Sequence, residues 1–253
     1  MRLCVKIACL AYLLNFLSTC CYGEDISRIP FAVGEKLTYT IRWGVIPVGY
    51  GILHVQKLEI LNGREVYKIV ASARSNEFLS KFYKVDDKVE TWIDKEGLFP
   101  VKFHKKLQEG GYRCDEEMIF DQVKHRAAYR SASTEKHMDI PSRVQDALSS
   151  LYFFRTLDFI KQKTFFMDVN ADEKNWKLEI DVIRKKDIDI RGLGGYTACL
   201  IEPKAKYQGI FVKKGRIFVW ISADKLKLPL LMKSKVPFGS VTAALTKIER
   251  EIL

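Results

Sequence analysis

Histidine is scarce in this chain, four residues in 253. His54, His104, His125 and His137 stand in no HExxH pattern or other metal-ligand spacing, so each reads as a surface or packed imidazole. A GxSxG nucleophile elbow is missing. The glycine-rich "RGLGGY" (191–196) lacks the strand-to-helix setting of a phosphate loop and reads as a turn. Cysteine is sparse where it would matter. Of six, Cys4, Cys9, Cys20 and Cys21 fall at the start, leaving Cys114 and Cys199. In an oxidising compartment these two either pair as a disulfide or stay as buried free thiols, and no spacing rule decides between them. The sequence thus assigns no catalytic residue, no metal ligand and no cofactor, and the expectation is a non-enzymatic protein.

Long hydrophobic runs are missing too, with one short exception. "IACLAYLLNFL" (7–17) follows Arg2 and Lys6 and precedes the small or polar "STCCYG". That is the layout of an export leader, and the run is too short to span a bilayer. Residues 1–23 are therefore expected to be a signal peptide, with 24–253 forming a single β-rich domain. "LSTC" (17–20) also approximates a bacterial lipobox, which would make Cys20 an acylation site. Either way, the expected location is the periplasm or the outer membrane of a bacterium.

Positive charge is in excess, 42 Lys and Arg against 31 Asp and Glu. It is spread over residues 124–130, 183–192 and 225–235 rather than gathered in one run. Basic stretches with interleaved aromatics fit nucleic acid in general, but export argues against that partner. Anionic envelope lipids or polymers, or plain solvation, remain as readings.

What the chain does have is alternation. Leu37, Tyr39, Ile41 and Trp43 share one face of a strand, and Trp176, Leu178, Ile180 and Val182 share one face of another. Turn signals recur at "NGRE", "DKEG", "EGG", "LGG" and "KKGR", as in an antiparallel meander. Between Thr40 and Leu53, Gly44, Pro47, Gly49 and Gly51 predict a sharply bent first hairpin. Curvature of the sheet is the favoured cause, and room for a ligand or a neighbouring backbone the alternative. One segment has helical period: Ser142–Leu157, with Val144, Leu148, Leu151 and Tyr152 on one stripe and Ser142 with Gln145 as a capping box. A shorter helix is read over Asn76–Tyr83.

Two stretches echo each other. "VETWIDKEGLFPVKFHKKL" (89–107) and "FVWISADKLKLPLLMKSKV" (218–236) both run strand, Trp-Ile, Asp-bearing turn, Pro, strand. They imply two similarly built sheet halves flanking the helix. The expected fold is a mainly β, strongly curved or barrel-like antiparallel sheet, with the helix on or in its concave face and Trp43, Trp92, Trp176 and Trp220 mostly buried.

"IPFAVGEKLTYTIRWGVIPVGYG" (29–51), "VQDALSSLYFFRTL" (144–157) and "GRIFVWISADKLKLPLLMKSKVPFGSVTAAL" (215–245) together resemble the exported bacterial family called domain of unknown function 3108. The Trp-Ile-Asp to Leu-Pro hairpins are more distantly similar to LolA/LolB-type lipoprotein carriers. The resemblance implies a periplasmic β-rich fold with an internal apolar space. Separately, a curved sheet can enclose a cavity, so the leading functional expectation is holding or carriage of a lipid or acyl chain. It carries over no catalytic residue. Residues placed to meet such a ligand are Trp43, Tyr50, Asp146, Leu151 and Arg155. The competing functions are a structural or interaction module at the outer membrane or cell wall and, less favoured, a hydrolase of envelope polymers.

Overall fold

The computed structural model describes residues 29–207, 210–211, 216–236 and 239–250, so the expected leader and Cys20 lie outside the described residues. The alternating segments become strands. β1 (Lys36–Trp43), β2 (Ile46–Leu61), β3 (Arg64–Ser75), β4 (Asp86–Asp94), β5 (Pro100–Glu109), β6 (Tyr112–Asp121), β7 (Arg126–Ser131) and β8 (Glu135–Asp139) form one antiparallel meander. A second runs through β9 (Thr164–Ala171), β10 (Lys174–Ile190), β11 (Gly194–Tyr207), β13 (Ile217–Ser222), β14 (Pro229–Val236) and β15 (Gly239–Glu249). The short β12 (Ile210–Phe211) pairs off β11. β15 pairs antiparallel with β1 and joins the two meanders into one sheet.

The sheet does not close; β8 and β9 are its two edges. Yet the edges approach one another. Asn175 Nδ2 donates to the Asp139 carbonyl at 2.8 Å, and Lys136 pairs with Glu173 at 2.5 Å. Gln145 wedges in as a parallel bridge to Val169, its N–H on Asp168 O at 2.8 Å and its carbonyl accepting from Asn170 at 2.7 Å. Its side-chain amide reaches across to Leu98 O, beyond the end of β4, at 3.1 Å. A strongly coiled sheet brings such distant strands together.

The bend at the start has two separate causes. Gly44, at φ 58°, makes the turn between β1 and β2, and the register slips between Ile41 and Arg42. Val48 is the extra residue there, and Pro47 stands opposite Arg42 beside the turn. Gly49 answers to close approach: a Cβ there would lie 2.2 Å from the Arg74 carbonyl oxygen. Gly51 meets no such obstacle.

The echo is physical. In the β4–β5 hairpin, Trp92 pairs with Lys102 and Ile93 with Pro100; in the β13–β14 hairpin, Trp220 pairs with Leu231 and Ile221 with Pro229. Both carry the same one-residue bulge beside Pro. In both, a turn aspartate caps the loop: Asp94 Oδ1 accepts from Glu96 and Gly97, and Asp224 Oδ1 from Leu226 and Lys227. Each tryptophan also lies under two cations, Lys68 and Lys102 for Trp92, Arg184 and Lys186 for Trp220.

There are two helices among the described residues, both shorter than the segments read over Asn76–Tyr83 and Ser142–Leu157. α1 (Glu77–Ser80) is a single turn, and α2 (Ala147–Thr156) begins five residues later than its sequence period implied. Arg143 takes φ 55° and Gln145 is spent bridging β9, so the Ser142–Gln145 capping box does not form. Asp146 caps instead. Its Oδ1 accepts from Leu148 and Ser149 N–H at 2.7 Å each, and Ser149 Oγ returns the bond to Asp146 N–H at 2.8 Å.

Leu148 and Tyr152 pack with Leu37, Tyr39, Leu53, Val55, Ile69, Ile93, Leu230 and Leu245 in the main core. Phe154 packs with Phe159, Phe165, Val169, Ile180 and Ile201 in a second cluster under β9–β11. Val144 is buried ahead of the helix, in a third cluster with Met118, Phe120 and Tyr129. Of the tryptophans, Trp92 is buried and Trp176 and Trp220 are half-buried. Trp43 departs from expectation at 49% exposure, because it sits beside the β1–β2 turn where no layer covers it.

Candidate functional site

Strand alternation gives the sheet two faces, and the main core uses only one. On β2, Leu53 and Val55 belong to that core, whereas Ile52, His54 and Gln56 point the other way. On β3, Ile69 faces the core and Val70, Ser72 and Arg74 do not. Those outward residues, with Asp86, Asp87 and Lys88 of β4 and residues near the β5–β6 turn, line a half-open groove of about 710 Å³. Ile52, Val70 and Leu107 give it an apolar floor. Lys36, Arg74, Lys88, Lys106 and Arg113 give it cations, against Asp86, Asp87 and Asp115.

Most of these charges are steered by neighbours. Arg74 Nε donates to Asp86 at 2.9 Å, Lys88 pairs with Glu90 at 2.9 Å, and Arg113 Nη1 donates to the Gly110 and Tyr112 carbonyls. Asp115 accepts from His104 at 2.7 Å and lies 3.7 Å from Lys106. Burial first, then the Lys36 charge, holds the His54 pKa below the usual imidazole value, so the ring is neutral at pH 7. Beside the groove, burial and then the Asp87 charge raise the Glu109 carboxyl pKa. The arrangement offers an apolar trough with positive points along it, which suits a molecule that is apolar in one part and anionic in another.

Cys114 on β6 and Cys199 on β11 are both free and buried, so the disulfide alternative is corrected to two separate thiols. Burial raises both thiol pKa values, which keeps them protonated and poor nucleophiles at neutral pH. His104 lies between Glu90 and Asp115, and His125 occupies a turn at φ 54°. Glu116 and Glu117 pair with Lys105 and Lys102. Among the described residues no group of three or more His, Cys, Asp or Glu side chains could hold a metal ion.

The five residues expected to meet a ligand do not converge. Trp43 and Tyr50 sit on the exposed first hairpin, and Leu151 is half-buried between two core clusters. Asp146 is buried as the α2 cap, where Thr91 Oγ1 also donates to it at 2.5 Å. Arg155 is wholly buried. Its Nη1 and Nη2 grip both oxygens of buried Glu35 at 2.7 and 3.0 Å, and Nη2 also donates to Leu226 O at 3.0 Å. Phe31 and Tyr152 stack on its guanidinium.

Apart from His54 and Cys114, weighed singly, the groove residues went unremarked in the sequence, although one signal was there. The "EGG" turn at 109–111 fixes the β5–β6 register and so places Lys106 opposite Asp115. That β2, β3 and β4 extend the same surface needs the full strand order.

Comparison with known proteins agrees with the fold. A β-barrel-like protein of domain of unknown function DUF1849 from Brucella abortus superposes with a TM-score of 0.61 at 12% identity, over 85% of this chain and 97% of that one. A candidate exported protein with a YmcC-like fold from Bacteroides fragilis gives 0.36 at 6% identity, over 88% and 98% of the two chains. A candidate lipoprotein from Parabacteroides distasonis gives 0.38 at 8%, over 86% and 95%. At those scores the latter two carry no argument. The comparisons do not show the LolA/LolB-type similarity, and no curated protein matches the chain. One family does, over residues 38–246, most of the sequence: this chain belongs to the proteins of unknown function grouped as DUF3108.

Proposed function

We propose that the protein is an exported, non-enzymatic component of a bacterial envelope that holds an anionic amphiphile, a lipid or acyl-bearing molecule, in the groove across β2–β6. The supporting observation is the 710 Å³ groove with its apolar floor and five cationic side chains. This differs from carriage inside the sheet. α2 packs Leu148, Tyr152 and Phe154 into the core face, and the groove lies on the outward one. The basic leader followed by an apolar run supports export.

The filled core face also favours the second reading, a structural or interaction module of the envelope, in which the groove holds no lipid. Extraction and mass spectrometry of the natively purified protein separates the two. A stoichiometric anionic lipid should come off the wild type, and Ile52→Trp, which fills the floor, should lose most of it. A wild-type protein that retains no lipid leaves the interaction module as the reading.

A further inference from the structure

Where the β1–β2 turn meets solvent, the molecule is unusually apolar. Val45 is 84% exposed, Phe82 78% and Phe78 63%, and Trp43, Ile46, Tyr50 and Tyr83 are open as well. They belong to two excursions tied together. Asn76, the N-cap of α1, donates its N–H to Val48 O and its Nδ2 to Pro47 O, both at 2.8 Å. The start of β15 adjoins them, with Gly44 N–H on Ser240 O at 2.9 Å.

α1 contributes no buried residue to any core. Phe78 and Phe82 meet edge to face at 5.8 Å and cover little except each other. Isolated exposed apolar side chains are ordinary, but seven large ones on adjoining excursions form a patch of the kind that contacts something. Cations surround it. Lys81 and Lys84 are exposed in the α1 excursion, Lys235 is exposed on β14 opposite Ser240, and Arg42 donates to Val45 O within the turn at 3.3 Å. Glu77 is the acid in the α1 turn, and Asp86 is taken by Arg74.

We propose that this end of the sheet docks on an anionic lipid surface. Val45, Phe78 and Phe82 enter the acyl boundary, Trp43 and Tyr83 lie at headgroup level, and Lys81, Lys84 and Lys235 meet phosphate. Protruding aliphatic and phenyl side chains, with amphipathic aromatics and cations beside them, match the layering of a bilayer interface. A protein partner would call for a broader surface with satisfied polar groups around it. The docking stands apart from the groove's content, since it uses different side chains.

Its test is co-sedimentation of the chain from Glu24 onward with vesicles of phosphatidylcholine and phosphatidylglycerol, beside pure phosphatidylcholine. The wild type should prefer the anionic vesicles. Val45→Ser with Phe82→Ser should weaken binding at least about tenfold, and Lys81→Glu with Lys84→Glu should abolish the preference for phosphatidylglycerol. All four positions are exposed, and circular dichroism verifies that each variant folds. Absent wild-type binding, or variants that bind as the wild type does, would overturn the docking. So would a wild-type dimer in sedimentation equilibrium that the Val45 and Phe82 changes dissociate, which assigns the patch to a second copy of the chain.

Discussion

Arg155 looks in the sequence like a cation that suits the C-terminal end of a helix. In the fold it is the centre of a buried clasp. Glu35 and Pro30 O come from the N-terminal segment, Leu226 O from the β13–β14 loop, and Arg250, whose Nε is 3.6 Å from Glu35, from the end of β15. Removing one member leaves the other charged and dry, so Glu35→Ala should destabilise the protein by about 3–5 kcal/mol in urea unfolding. A loss below about 1 kcal/mol would mean water reaches Arg155.

Asp146 offers a pH test. Burial outweighs its hydrogen bonds from Thr91, Ser149 and Leu148 and raises its pKa from 3.8 to about 6. Because the folded value is the higher one, folding favours the proton. The contribution to stability is complete below pH 3.8 and lost as pH rises through 6. Asp146→Asn keeps a capping oxygen without the charge. Relative to this variant, the wild type should gain about 2 kcal/mol on going from pH 7 to 4.5. Parallel unfolding curves at the two pH values would show that the carboxyl is not perturbed.

At the scale of elements, α2 carries most of the inward burden. Leu148 is 8% exposed and sits among residues of β1, β2, β4, β14 and β15. Leu148→Ala should cost about 2–5 kcal/mol, the range for opening a core cavity. A change within about 0.5 kcal/mol in chemical denaturation would place it on the surface. The helix was visible as a period of apolar residues, but its start was not. Ser142 and Gln145 satisfy the capping pattern as well as Asp146 and Ser149 do. Only the pairing of Gln145 with β9 decides between them. The echoed hairpins were easier to see, because Trp-Ile, Asp and Pro at a near-constant spacing encode a bulge and a capped turn locally.

For the whole molecule, the sheet's open edges set where it loosens first. β8 has five residues, nearly all exposed, and one strand neighbour, whereas β2 and β3 each have two. Hydrogen exchange should therefore release the β8 amides at least about a hundredfold faster than those of central β3, a local opening rather than global unfolding. Equal protection would mean that the contacts from Asn175 and Lys136 act as a true closure.

By itself the sequence determined the strands, their alternation, the antiparallel turns and the echoed hairpins. Each of these depends on neighbours within a few residues, where side-chain period and turn chemistry act directly. It also determined the tally of chemical groups, and so the want of metal-ligand or nucleophile spacing along the chain. Only the tertiary structure decided that β15 returns to β1, that Arg155 spends its charge on Glu35, and which face of β2–β6 is left uncovered. Those outcomes depend on pairs far apart in the chain, such as Lys36 and Glu249, which are 213 positions apart. No local period encodes such a pair. It is settled by which apolar faces can be buried together once the sheet has coiled.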